Sequence, residues 1–169
     1  TSADFADVKW MSGEELLSSG GLQVVAVETE VGALLEHAEQ VVNAGLHLHL
    51  DKPAGESLPQ FERILETAAR KGRLVKMGYM FRFNPAFQLC FDAAKQGWLG
   101  KVFSVHAEMS KAISAGERAK LAPYKGGSMF ELGCHLIDAI VWMMGKPRKV
   151  TPFPRSFPND GFNDNMLAV

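Results

Sequence analysis

The sequence is 169 residues long, with 47% hydrophobic and 22% charged residues, a balance that can bury a core of ordinary size. Its 18 Lys and Arg residues nearly offset 19 Asp and Glu residues, which gives a net charge of −1. This balance argues against binding to nucleic acid or to an anionic membrane. Two cysteines are too few for a disulfide scaffold and favour a reducing, cytoplasmic compartment. No apolar run reaches the roughly 18 residues of a membrane span.

The N-terminal half alternates between helix and strand patterns. Ser12 and Glu15 form a capping box, which predicts a short helix. Residues 22–27 and 46–50 are short apolar runs typical of buried strands, and the helical pattern between them ends at Gly45. Strand, helix and strand in fewer than about 30 residues form a βαβ unit, and such units build parallel sheets.

The pattern then repeats. Ser57 and Gln60 predict a second capping box, with Pro59 in the first turn of the helix that follows. This helix ends at Gly72, and residues 74–77 form the next predicted strand. Helices that alternate with strands indicate a doubly wound parallel sheet, so we predict an α/β fold.

The pattern changes after Tyr79, and we place a domain junction near residues 80–84, between domains of residues 1–81 and 82–169. The elements predicted after the junction are a helix from Asn84 with a buried face of Phe87, Cys90, Phe91 and Ala94, a strand over residues 101–109, a mobile loop over residues 112–127, and one long helix over residues 128–144.

The carboxyl ends of the predicted strands are the first place to look for chemistry, because ligands of open parallel sheets bind there. Residues 28–30, 51–53 and 79–84 leave the strands at these ends. Lys52 directly follows a buried strand, and Pro53 fixes the turn after it, so its ammonium is held near the crevice. A solvated surface lysine is an equally good interpretation of that position alone.

A second candidate site lies on the long helix. Glu131, His135 and Asp138 follow one another at spacings that place them on one helical face. A carboxylate one turn from an imidazole can orient it and raise its basicity, as a general base requires. The alternatives are that Glu131 completes a capping box with Ser128, and that His135 is a hydrogen-bonded core histidine.

His47, His49 and Asp51 lie on one face of a strand and resemble the His-x-His of barrel metallohydrolases. Such a site needs further ligands, and a barrel needs about 250 residues. We therefore predict that the chain holds no metal.

Three motifs, in this order, resemble the Gfo/Idh/MocA family, the glucose–fructose oxidoreductases and inositol dehydrogenases. They are residues 45–53 (GLHLHLDKP), 78–85 (GYMFRFNP) and 126–138 (GGSMFELGCHLID). The resemblance covers about residues 12–150. It implies the C-terminal part of a Rossmann-type parallel sheet, followed by the start of an α+β domain for substrate and oligomerisation. It also implies NAD or NADP as cofactor, a sugar, cyclitol or related polyol as substrate, and a homo-oligomer formed through the C-terminal sheet.

The resemblance assigns roles to single residues. Lys52 and His135 match the catalytic pair of the family, and Glu131 stands where its carboxylate partner stands. The implied cofactor contacts are Thr29, Asp51, Lys52, Pro53 and Arg82, and the implied substrate contacts are Tyr79, Asn84 and Asp138.

The sequence also departs from the family pattern. Asp51 replaces a glutamate, Glu131 is one methylene longer than the usual aspartate, and residues 28–32 (ETEVG) replace the usual Thr-Pro-Asn. The 169 residues contain no Gly-x-Gly-x-x-Gly loop, which we expect to precede Thr1 in a longer protein. We therefore expect these residues alone to bind NAD(P) negligibly and to be inactive.

The leading hypothesis for the whole protein is an NAD(P)-dependent oxidoreductase that acts on a polyol hydroxyl. One alternative is an NAD-dependent glycosidase of the same family, in which the cofactor is oxidised and reduced within one cycle. The other is a non-catalytic relative that binds a sugar or a partner, in which residues 28–30 and Glu131 mark the decay of the site.

Overall fold

The computed structural model describes residues 7–156 and 162–169, and the chain divides between Met77 and Gly78 into two compact units. The elements in chain order are α1 (Gly13–Ser18), β1 (Val24–Val27), α2 (Val31–Asn43), β2 (His47–Leu50), α3 (Leu58–Arg70), β3 (Val75–Met77), a 3₁₀ helix (Met80–Phe83), α4 (Pro85–Lys95), α5 (Ala115–Leu121), α6 (Gly127–Glu131), α7 (Gly133–Met144), β4 (Pro152–Arg155) and β5 (Asn165–Ala168). None of the helices in the described ranges is long and apolar enough to cross a membrane.

The first unit is a parallel sheet in the order β1–β2–β3, with a helix in each connection. Val25 pairs with Leu48, and Leu48 pairs in turn with Val75. The core of the unit lies where α2 and α3 cover the sheet, and it contains Val27, Leu34, Leu35, Ala38, Val41, Val42, Leu48, Leu50, Ile64 and Ala68. The predicted α/β fold with a Rossmann-type parallel sheet is confirmed.

Local caps explain where these helices begin. Ser12 accepts a hydrogen bond from the backbone N–H of Glu15, and the Glu15 carboxylate accepts one from the Ser12 N–H, as the capping box predicts. Ser57 accepts from the Gln60 N–H at the start of α3. The Gln60 amide donates to Glu39 at 3.2 Å, which ties α3 to α2.

The second unit begins with the 3₁₀ helix and α4. The side-chain oxygen of Asn84 accepts from the N–H groups of Ala86 and Phe87, so Asn84 caps α4 as predicted. The buried residues of α4 are Phe91, as predicted, and Ala93, which was not predicted. Cys90 is exposed. The predicted buried face was therefore wrong at Cys90.

The strand predicted over residues 101–109 is not formed, although its sequence alternates as a strand would. Within the described part of the second unit, β4 and β5 pair with each other in an antiparallel ladder. A segment without a partner strand has no ladder to receive its backbone hydrogen bonds. The apolar residues of this alternating pattern do not form a buried face either, since Phe103 is 90% exposed.

The loop predicted over residues 112–127 contains α5. The Ser114 hydroxyl accepts from the N–H of Glu117 at 3.2 Å, and the Glu117 carboxylate accepts from the Ser114 N–H at 2.8 Å. This is the same capping box that Ser12 and Glu15 form. The prediction was wrong because the small and polar residues around Ser114 were interpreted as a loop, although Ser114 and Glu117 have the spacing of a capping box.

The single helix predicted over residues 128–144 is two helices. α6 ends at Glu131 and α7 begins at Gly133, with Leu132 between them. The turn after Leu132 is tighter than an α-helical turn, because the His135 N–H donates to the carbonyl three residues earlier, that of Leu132. Gly133 sits at the break, where the side chain of Met129 occupies the space that a Cβ would need.

Candidate active site

The carboxyl ends of the parallel strands carry two of the predicted segments. The ladder between β1 and β2 continues past the strands, because the Asp51 N–H donates to the Val27 carbonyl at 3.0 Å. This bond fixes the backbone just before Lys52, which is half-buried, as is Asp51. Thr29 is exposed at the end of β1, where its hydroxyl donates to the Glu30 carbonyl at 3.3 Å.

The turn after Lys52 is packed against the core. Pro53 is buried, and its peptide bond with Lys52 is cis. The Gly55 N–H donates to the Pro53 carbonyl at 2.7 Å, and Gly55 has a φ of +74°. A Cβ on Gly55 would collide with the side chain of Leu35 in α2. The loop that carries Lys52 is therefore held on both sides.

One of the strand histidines, His47, serves the fold. Nδ1 of His47 accepts the Leu74 N–H at 2.9 Å, which links the starts of β2 and β3. Among the described residues, no group of three or more His, Cys, Asp or Glu side chains is arranged to hold a metal ion.

In the second unit, His135 lies in the first turn of α7 and is 4% exposed. The ring of Tyr79 meets the imidazole edge-on at a centroid distance of 6.2 Å. Phe81 packs against it at 5.4 Å with a tilt of 48°. Phe81 is itself stacked on Phe87 of α4 at 4.1 Å. Two rings from the 3₁₀ segment thus pack against the imidazole and shield it from water, and Phe87 of α4 supports one of them.

Next to this histidine, Arg82 and Asp138 form a two-point ion pair. Nε of Arg82 donates to Oδ2 of Asp138 at 2.8 Å, and Nη2 donates to Oδ1 at 2.5 Å. The Asp138 side chain is 8% exposed and that of Arg82 37%. Trp142 covers the guanidinium at 4.4 Å, a cation–π contact. The hydrogen bond to Asp138 raises the pKa of Arg82.

Tyr79 stays protonated at neutral pH. Burial raises the pKa of its phenol, and the charges of Cys134 and Asp138 raise it further, against a smaller opposing effect of Arg82. The Tyr79 hydroxyl can therefore donate a hydrogen bond, as a substrate contact would require.

Glu131 is the last residue of α6, whereas His135 and Asp138 lie on α7, so the three residues are not on one continuous helix as predicted. The capping-box interpretation of Glu131 was also wrong, because Gly126 is the N-cap. The hydroxyl of Ser128 donates instead to the Asn163 carbonyl at 3.1 Å.

Sequence reasoning missed the aromatic support of His135. The sequence identified Phe81 only as part of the second motif, and it predicted only that Phe87 lies on the buried face of α4. Alternating aromatic residues before a helix cap, Tyr79 and Phe81, are the signal that points to this packing.

The comparisons with known proteins agree with this architecture. Residues 2–79 match the model of the oxidoreductase family with an NAD-binding Rossmann fold, and residues 87–169 match that of the GFO/IDH/MocA C-terminal domain. The fold is thus that of an NAD-binding oxidoreductase, and the predicted cofactor class, NAD or NADP, is confirmed. The chain belongs to the GFO/IDH/MocA family.

Individual relatives are distant. The chain is 26% identical over 156 residues to the uncharacterized oxidoreductase YhhX of Escherichia coli, covering 92% of this chain and 45% of that protein. It is 25% identical over 152 residues to the scyllo-inositol 2-dehydrogenase (NADP(+)) IolW of Bacillus subtilis, covering 88% and 42%. The crystal structure of an oxidoreductase from Bacillus cereus superposes with a TM-score of 0.84 at 26% identity, covering 97% and 47%. The chain therefore spans less than half the length of these relatives.

The roles assigned to single residues stay predictions. They comprise catalysis by Lys52, His135 and Glu131, cofactor contacts by Thr29, Asp51, Lys52, Pro53 and Arg82, and substrate contacts by Tyr79, Asn84 and Asp138.

Proposed function

We propose that the full-length protein is an NAD(P)-dependent oxidoreductase that oxidises a hydroxyl of a sugar, cyclitol or related polyol. The observation that supports this most is the imidazole of His135, 4% exposed and held by the rings of Tyr79 and Phe81. A general base needs a fixed orientation and protection from water, and these contacts provide both. The inositol dehydrogenase among its relatives acts on a cyclitol.

The strand ends of the first unit fit a nicotinamide dinucleotide. Dinucleotides bind beyond the carboxyl ends of such strands, where this chain offers the Lys52 ammonium and the Thr29 hydroxyl as polar groups. The turn at Gly55, packed on Leu35, keeps that loop in place. The 169 residues carry no glycine-rich phosphate loop, so we expect them alone to bind NAD(P) negligibly.

In the proposed reaction, an imidazole nitrogen of His135 accepts the proton of the substrate hydroxyl. The ammonium of Lys52 has the chemistry to stabilise the negative charge that develops in such a reaction. Glu131 is the carboxylate partner of the histidine. A bound nicotinamide would supply the acceptor for the hydride that leaves the hydroxyl-bearing carbon as that carbon becomes a carbonyl. Assembly into a homo-oligomer through the C-terminal sheet stays a prediction.

Substitution of His135 in the full-length protein tests the proposal. His135→Ala should lower kcat by a factor on the order of 10² to 10⁴ with a polyol substrate. His106→Ala is the matched control, because His106 is exposed and should leave kcat unchanged. Wild-type turnover by His135→Ala would remove His135 from the role of base. Net accumulation of reduced cofactor excludes a glycosidase, whose cofactor returns to its starting state in each cycle.

A further inference from the structure

The ion pair of Arg82 and Asp138 joins the two elements that hold His135. Asp138 lies one helical turn after His135 on α7. Arg82 directly follows Phe81 in the 3₁₀ helix, whose N-cap is Tyr79. The contact therefore ties the segment that bears both aromatic rings to the helix that bears the imidazole.

The geometry of this contact is directional. Two parallel hydrogen bonds between a planar guanidinium and a carboxylate fix the angle of approach as well as the distance. The indole of Trp142, one turn after Asp138, covers the guanidinium and restricts it further. Both oxygens of Asp138 and two nitrogens of Arg82 are engaged in the pair.

We propose that Arg82 and Asp138 are positioning residues for His135, which hold the rings of Tyr79 and Phe81 against the imidazole and together add no net charge beside it. This inference rests on the proposed function of His135 as a base. It differs from the contacts that the family resemblance implies, since in this role neither residue touches the cofactor or the substrate.

The pair also controls the charge near the imidazole. The further ionisable residues on the 3₁₀ segment, α6 and α7 are Tyr79, Glu131 and Cys134. α4 contributes the uncharged ring of Phe87 by way of Phe81, and its own ionisable residues, Cys90, Asp92 and Lys95, are exposed. Neutralising one member of the pair leaves the other charge in this partly buried environment. A lone guanidinium disfavours the imidazolium, whereas a lone carboxylate favours it.

The test is the pH dependence of kcat/KM in the full-length protein. Asp138→Asn should shift the acidic limb to lower pH by about 0.5 to 1 unit, and Arg82→Gln should shift it to higher pH by a similar amount. The double variant, neutral again, should return close to the wild-type midpoint. Structural damage alone would not produce shifts of opposite sign. Lys111→Gln and Glu117→Gln, which break an exposed pair, should leave the midpoint unchanged.

An NMR titration of the His135 ring in the cofactor-free protein gives the same readout without turnover. The opposite shifts should appear there even if the protein proves not to be an oxidoreductase, so the two proposals can fail separately.

Arg82→Lys provides a second variant, because Arg82 is partly exposed and the change keeps its charge. It should leave the midpoint in place and lower kcat about tenfold, since lysine cannot form both hydrogen bonds. Unchanged midpoints in both single variants, or shifts in the same direction, would overturn the inference.

Discussion

The backbone carbonyl of Asn163 occupies the space into which a Cβ of Gly127 would project. That carbonyl also accepts hydrogen bonds from the N–H of Ser128 at 2.9 Å and from its hydroxyl at 3.1 Å. The segment before β5 is therefore fastened to the start of α6, the helix that ends at Glu131. Gly127 makes this close approach possible, and its φ of +51° is unfavourable for other residues.

Gly127→Ala should destabilise the protein by about 2 kcal/mol or more. The change adds backbone strain, and its Cβ collides with the backbone carbonyl of Asn163, which cannot change rotamer as a side chain can. Urea denaturation measures the change. Gly116→Ala in α5 is the matched control, since a Cβ there would meet only the Ser114 hydroxyl oxygen, at an ordinary contact distance of 4.0 Å, and alanine favours helix. If Gly127→Ala were as stable as Gly116→Ala, the contact with Asn163 would not be part of the folded structure.

The loop after Lys52 allows a similar comparison in the first unit. Gly55 and Gly72 both have positive φ, at +74° and +63°. A Cβ on Gly55 would strike the buried side chain of Leu35, whereas nothing lies within 4 Å of one on Gly72. Gly72→Ala should therefore cost about 1 kcal/mol from strain alone, and Gly55→Ala about 1–3 kcal/mol more from overpacking.

Urea denaturation of the two variants gives the difference directly. If the packing of Gly55 on Leu35 holds the Lys52 loop, Gly55→Ala should also weaken cofactor binding in the full-length protein. Gly72→Ala should leave cofactor binding unchanged. Equal destabilisation by the two changes would show that the loop does not press on α2.

The first unit could be predicted from the sequence because its signals are local. Caps such as Ser12 and Ser57, and short apolar runs such as residues 46–50, each determine an element by themselves. The parallel pairing then follows from the helices that separate the strands. The ends of the predicted elements differ from the observed ones by only a residue or two.

The second unit was harder because its signals depend on distant partners. Residues 101–109 alternate as a strand does, yet pairing is decided by another segment and not by alternation. The break at Leu132 depends on where Met129 lies against Gly133, which no local pattern shows. The ion pair between Arg82 and Asp138 spans two elements far apart in sequence, so the sequence identified both residues but not their contact.

Glu117 gives a prediction in acid. Hydrogen bonds from Ser114, and to a lesser extent Lys111, lower the pKa of Glu117 to about 2. A carboxyl group with a lowered pKa stabilises the folded state above its ordinary pKa of 4.5, and this contribution is lost as the pH falls from there towards about 2. NMR titration should place the midpoint of Glu117 well below that of an ordinary glutamate. Ser114→Ala removes only the hydroxyl and should return the midpoint part of the way, because the backbone N–H of residue 114 still donates to the Glu117 carboxylate. A midpoint like that of an ordinary glutamate in the wild type would mean that the cap is not formed.

The stability of the protein should also depend on pH in the alkaline range, because of Tyr79. Burial raises the pKa of its phenol above 10, so the folded state keeps the proton where the unfolded chain has lost it. The unfolded state then binds fewer protons, and the stability of the protein falls as the pH rises above about 10. Tyr79→Phe should abolish this part of the loss and keep the ring edge against His135. The sequence has two tyrosines, so ultraviolet titration of tyrosinate in the wild type and in Tyr79→Phe isolates the Tyr79 signal by difference. A difference signal centred at or below pH 10 would contradict the buried position of the phenol.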